Sequence, residues 1–67
     1  MITDIKKTHD GVNFIVEEFD IANTDGELVT VYQAYIGPDA VTPISYSESF
    51  CTMRAIHFIN THRTFFN

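Results

Sequence analysis

The sequence predicts a single α+β domain in which a three-stranded antiparallel meander is followed by one C-terminal helix (β-β-β-α). Three observations lead to this prediction. Two Asp-Gly pairs, Asp10-Gly11 and Asp25-Gly26, separate three apolar segments, and such pairs are strong signals for tight strand connections. The segments alternate with the two-residue period of strands. A run with helical periodicity follows, and no repeat or linker divides the 67 residues.

The three segments, residues 2–8, 12–21 and 27–36, are predicted to be the strands. Apolar side chains occupy both faces of the second and third strands. In the second strand one face carries Val12, Phe14 and Val16, and the other carries Ile15, Phe19 and Ile21. In the third strand one side carries Leu28, Tyr32, Ala34 and Ile36, and the other carries Val29, Val31 and Tyr35. A sheet that is apolar on both faces needs cover on both. Because one helix covers one face, we expect the other to meet a second copy or another protein.

The helix is predicted over residues 46–62, after a turn-rich stretch that contains Gly37-Pro38-Asp39 and Pro43. Ser45 and Glu48 fit a capping box, in which the serine oxygen accepts the Glu48 N–H. One helical stripe, predicted to face the sheet, carries Cys51, Ala55, Phe58 and Ile59. A second stripe carries Phe50, Met53 and His57. This second stripe is either part of a wide core face covered by loop residues or a surface for an oligomer or partner.

Composition excludes several classes of protein. The formal charge is −5, and the four basic residues Lys6, Lys7, Arg54 and Arg63 are scattered, so direct nucleic-acid binding is disfavoured. No window approaches the roughly 20 apolar residues of a membrane span, and the first residues lack the apolar run of a secretory signal. We therefore expect a cytoplasmic protein without membrane contact. With a single cysteine no disulfide can form within the chain, which favours a homodimer as the stabilising device.

Acidic residues are concentrated in one predicted hairpin. Five of the nine lie within eleven positions, with no Lys or Arg between them: Glu17, Glu18, Asp20, Asp25 and Glu27. One hypothesis is a surface that offers carboxylates where a basic partner expects phosphates. The alternative is a solvated hairpin tip whose charges prevent edge-to-edge strand aggregation.

No group of residues has the spacing of a catalytic or metal site. His57 and His62 are five positions apart, about 140° around a helix, unlike the four-residue spacing of helix-borne zinc ligands. Cys51 shares its stripe with apolar residues, which predicts a buried small hydrophobe. We therefore expect no catalytic residue, no metal and no cofactor.

These observations favour a non-enzymatic protein–protein interaction module that occupies a site on a larger protein. Small regulators and inhibitors of bacteriophages and mobile elements are of this type. Its contact surface is predicted to be the acidic hairpin or an aromatic stripe of Phe50, Met53, His57, Phe65 and Phe66. One alternative is a small-ligand-binding or catalytic domain whose pocket, at a dimer seam, uses His57, Cys51 and a carboxylate. Another is nucleic-acid recognition by the sheet, which the acidic strands disfavour.

Overall fold

The computed structural model describes residues 1–65 as an antiparallel sheet followed by a helix. The elements are β1 (Thr3–His9), β2 (Val12–Ala22), β3 (Leu28–Ile36), β4 (Asp39–Ala40) and α1 (Glu48–Thr61), with a short 3-10 helix at Arg63–Phe65. The strands form one sheet in the order β1-β2-β3-β4. The α+β class and the antiparallel meander are confirmed, but the prediction of three strands misses the short β4.

Both Asp-Gly pairs lie in hairpin turns. Asp10 and Gly11 have φ values of 50° and 79°, so both central residues of the first turn are left-handed, as a type I′ hairpin requires. In the second turn the Asn23 carbonyl accepts the Gly26 N–H at 3.0 Å, and the Asn23 side chain accepts the Glu27 N–H at 3.0 Å. Gly26 has φ 81°, the left-handed position that closes a three-residue hairpin loop.

The fourth strand arises from a third tight turn, within the stretch that the sequence predicts to be rich in turns. Gly37 has φ 58°, and the ring of Pro38 holds its φ near −65°, a combination that returns the chain beside β3. Ala40 pairs with Tyr35. Asp and Ala are poor strand formers, so this two-residue strand had no signal of its own in the sequence.

The chain between β4 and α1 is fastened to the edge of β3. The Thr42 hydroxyl accepts the Ala34 N–H at 2.9 Å and donates to the Cys51 sulfur at 3.7 Å. Further along, the N–H and carbonyl of Ser45 both hydrogen-bond the backbone of Tyr32, at 2.9 and 2.7 Å. The outer edge of β3 is therefore hydrogen-bonded from β4 back to Tyr32.

The helix begins later than predicted. Ser47 is the N-cap, and its side-chain oxygen accepts the Phe50 N–H at 3.1 Å. The capping box with Ser45 is wrong because the backbone of Ser45 is held in strand pairing with Tyr32. The end of the helix is close to the predicted one, since α1 ends at Thr61 and the following residue is the C-cap.

The core lies between α1 and one face of the sheet. Its buried residues are Phe14, Val16 and Ala34 from the strands and Cys51, Ala55 and Ile59 from the helix. The predicted buried stripe is confirmed for the three helical members of this list. Phe58 is only half-buried, and its ring stacks on His62 with centroids 4.1 Å apart. Cys51 is a buried free cysteine, as expected of a small hydrophobe.

The helix is too short to cover the sheet. Fourteen helical residues rise about 21 Å, whereas the eleven residues of β2 extend about 36 Å. The first residue of β1 pairs with Glu18, so the rest of β2 has no partner on that side. On the other edge of the sheet, β3 is paired on its outer side only from Tyr32 onward, where Tyr32 bonds Ser45. Residues 19–31, here called the distal arm, therefore form a two-stranded ribbon beyond the core. The molecule is correspondingly elongated, with extents of 45 × 18 × 18 Å.

Candidate functional site

The face of the sheet opposite α1, here called the open face, is apolar. No helix or strand within residues 1–65 covers it. The register brings together on this face the apolar side chains Ile15, Phe19, Ile21, Val29, Val31 and Tyr35. Val31, directly opposite Phe19, is 1 % exposed, whereas Ile21 near the tip is 37 % exposed. Ile15, Phe19, Val29 and Tyr35 are half-buried, and apolar side chains left accessible together on one surface can mark an interaction site.

Three charged side chains also lie on the open face. Asp4 is directly opposite Glu17, and Lys6 is opposite Ile15. Within residues 1–65, none of the three charged groups has an ion pair or a side-chain hydrogen bond. Glu17 is half-buried, and the two carboxylates that face each other destabilise the strand pair. The open face therefore carries charges of both signs that lack partners in this part of the chain.

A groove of about 620 Å³ runs along the base of the open face. Its lining residues belong to β1, β2, β3 and the turn after β3: Lys6, Lys7, Thr8, Asn13, Phe14, Ile15, Tyr35 and Gly37. Thr8 donates a hydrogen bond to Asn13 at 2.9 Å, so these two polar groups satisfy each other. The titratable groups of the lining are Lys6, Lys7 and Tyr35. Lys7 forms an ion pair with Glu48, and the Tyr35 hydroxyl donates to the Gln33 side chain at 3.0 Å.

On the helix side of the sheet, charged groups are paired within the chain. Lys7 lies 3.3 Å from Glu48. Glu18 and Tyr32 are cross-strand neighbours. Burial, a hydrogen bond to Glu18 and the charges of Glu18 and Glu48 all raise the pKa of the Tyr32 hydroxyl. This side of the sheet therefore differs from the open face, where the charges have no such partners.

The five hairpin carboxylates do not share one face. Glu17 belongs to the open face, Glu18 and Asp20 to the helix side, and Asp25 and Glu27 are exposed in the loop at the tip. Asp20 accepts a hydrogen bond from Thr30 at 2.9 Å. The prediction that these charges gather around one hairpin is correct, but they surround the hairpin instead of forming a flat patch.

The second helical stripe lies on the outer side of α1. Met53 and His57 are each about 160° from Ala55 around the helix axis. Phe50 and Met53 are 42 % and 70 % exposed, and His57 is exposed too. The interpretation of this stripe as a core face covered by loop residues is therefore wrong. The predictions for the side chains of Phe65 and Phe66 lie outside the part of the chain that the structure describes.

The residues of the alternative catalytic hypothesis are not brought together. Cys51 is fully buried toward the sheet, whereas His57 is exposed on the outer side of the helix. His9 contacts Asn60 at 3.0 Å, in a polar group at the base of the molecule where Arg63 also pairs with Asp10. Among residues 1–65, no three His, Cys, Asp or Glu side chains converge as metal ligands would.

Comparison of the chain with protein-family models, curated proteins and solved structures gave no match. In the described residues, α1 is the longest helix, and no helix has both the length and the apolarity to cross a bilayer.

Proposed function

We propose that this protein is a non-enzymatic interaction module, a small regulator or inhibitor that occupies a site on a larger protein through its distal arm. The observation that carries the proposal is the projection of the arm beyond the helix, with carboxylates around it and no Lys or Arg in β2, β3 or their loop. By analogy of type alone, we place it with the small regulators that bacteriophages and mobile elements make.

The shape of the arm suits insertion. Beyond Glu18, β2 has a neighbouring strand on one side only, and β3 likewise before Tyr32. A two-stranded ribbon of this kind is marginally stable alone in water, and a partner that contacts it from several sides would stabilise it. A groove is such a partner, whereas a flat surface contacts one side.

The distribution of charge indicates the chemistry of that groove. Asp20 lies on one side of the arm, and Asp25 and Glu27 are exposed at its tip. An inserted arm therefore presents carboxylates at its tip and along its flank, in the way that a nucleic-acid backbone presents phosphates. A groove lined with Lys and Arg, such as that of a nucleic-acid-binding enzyme, would attract it and accelerate encounter.

The test compares two charge reversals that change the net charge equally. Asp25→Lys alters the tip of the arm, and Asp39→Lys alters an exposed residue of β4, away from the arm. A partner is first captured from the source cells with the wild-type protein, and its association rates with all three proteins are then measured. At low salt, where charges act over about 30 Å, Asp25→Lys should slow association about fivefold or more and Asp39→Lys should have little effect.

At about 1 M salt, where charges act over about 3 Å, the difference between the variants should disappear. Equal rates for Asp25→Lys and wild type at low salt would show that the acidic tip serves solubility and not recognition. Loss of binding in a stripe variant such as Met53→Ala, with Asp25→Lys unaffected, would transfer the contact to the outer side of the helix.

A further inference from the structure

We infer that the open face is a homodimer interface, on which the open face of a second copy packs as one sheet upon another. This inference goes beyond the proposed function and does not depend on it. The apolar side of the distal arm belongs to the open face, so the dimer would cover that side and leave the acidic tip, with Asp25 and Glu27, exposed. Stacked sheets pack about 10 Å apart with interdigitating side chains. The pairing would add a second apolar layer to a sheet that now has only one.

The area of the open face is sufficient for such an interface. β1, β2 and β3 contain 7, 11 and 9 residues, which project to about 430 Å² at a 3.3 Å rise and 4.8 Å spacing. Two copies therefore cover about 860 Å² in projection, and the relief of the side chains brings the accessible area near the lower limit of about 1,200 Å² for specific interfaces. Interfaces near this lower limit belong to weak or transient complexes.

The charges of the open face fit a second copy of this chain as the occupant. Lys6 is a cation without a partner, and Asp4 and Glu17 are anions without one, within residues 1–65. In an isologous dimer each copy offers the same set, so the lysine of one copy becomes available to the carboxylates of the other. The formal charge of this face is −1, against −5 for the whole chain, so stacking two copies here brings little like charge together.

The outer helix stripe is a poorer surface for a second copy. Phe50 and Met53 project there beside Arg54 and His57, all four exposed, on one helix of fourteen residues. The open face spans three strands and contains six apolar side chains. The distal arm lacks flanking strands. A second copy would cover the arm if it packed on the open face, but not if it packed on the outer helix stripe.

Sedimentation equilibrium of the full chain, with four single variants, tests the inference. The wild type should approach twice the 7.6 kDa chain mass at high micromolar concentration. Ile21→Lys places a charge on the open face, and its control Leu28→Lys, on the adjacent pair of residues, places one on the helix side, where Leu28 is 73 % exposed. We expect the dissociation constant to rise at least tenfold for Ile21→Lys and less than twofold for Leu28→Lys.

A second pair of variants keeps the test valid if Ile21→Lys fails to fold. Lys6→Glu leaves the open face with anions only, and Arg54→Glu makes the same charge change on the outer side of the helix; both positions are exposed. Lys6→Glu should weaken self-association about tenfold and Arg54→Glu should not. A wild type that stays monomeric up to about 1 mM, or a dimer that a folded Lys6→Glu or Ile21→Lys protein retains unchanged, overturns the inference.

Salt separates this inference from the proposed function. Two chains of charge −5 repel at long range, so added salt should preserve or strengthen the dimer. The same salt should weaken binding of the acidic arm to a basic groove. A dimer that dissociates as salt is added would contradict the apolar interface. It would not affect the proposed role of the arm, which the association rates test separately.

Discussion

Replacement of Thr42 by valine should destabilise the domain by removing one hydroxyl. Thr42 is 6 % exposed, and its oxygen accepts the N–H of Ala34, itself 0 % exposed, at 2.9 Å. Valine has the same shape but no acceptor, so this buried N–H loses its partner at a cost of about 1–3 kcal/mol. The greater hydrophobicity of valine offsets part of that cost. We expect a net loss of about 1–2 kcal/mol.

Denaturant unfolding at fixed protein concentration measures this loss, since the midpoint of a self-associating protein depends on concentration. Thr42→Ser is the matched control, because it keeps the acceptor and removes one methyl group, worth about 0.8 kcal/mol. Amide hydrogen exchange distinguishes the two variants. The Ala34 N–H should exchange faster than in wild type after Thr42→Val and remain protected after Thr42→Ser. Equal protection of Ala34 in both variants would refute the assignment of Thr42 as its acceptor.

Two further predictions concern the helix start and the edge of the core. Ser47→Ala should cost about 1 kcal/mol of unfolding free energy because it removes the N-cap acceptor of Phe50, and thermal unfolding should show Ser45→Ala to be milder. For Tyr32, the folded-state pKa lies above the ordinary value of 10.0, so its contribution to stability is complete below about pH 10 and is lost as the pH rises through the folded pKa. Tyr32→Phe should flatten the fall of the melting temperature in alkaline buffer, and an unchanged slope would contradict the raised pKa.

Local sequence signals specified most of the sheet. The Asp-Gly pairs located two turns, and two-residue alternation placed Phe14 and Val16 on one face and Ile15 and Phe19 on the other, as the register shows. These features depend on backbone conformation and residue period, which act within a few positions of the chain. They are therefore visible before any tertiary contact is known. Which face the helix covers was not predicted.

Features that depend on tertiary contacts were not predicted. Ser45 and Ser47 are both plausible N-caps, and pairing of Ser45 with the backbone of Tyr32 decides between them. β4 forms only because a tight turn returns the chain to an existing strand edge. Lys6 and Asp4 were not among the predicted site residues, although alternation along β1 places both with Ile15 on the open face. The projection of the distal arm beyond the helix could have been inferred from the sequence, because an extended strand is longer than a helix of similar residue number.

The most direct test of the open face as a contact surface is methyl NMR of the eight isoleucines as the protein is concentrated. The signals of Ile15 and Ile21, on the open face, should shift or broaden as concentration rises from about 10 µM to about 1 mM. Ile56, on the helix, and Ile44, 50 % exposed outside the strands, should change little. Spectra that do not depend on concentration, or changes centred on Ile56 with Ile15 and Ile21 constant, would contradict the account.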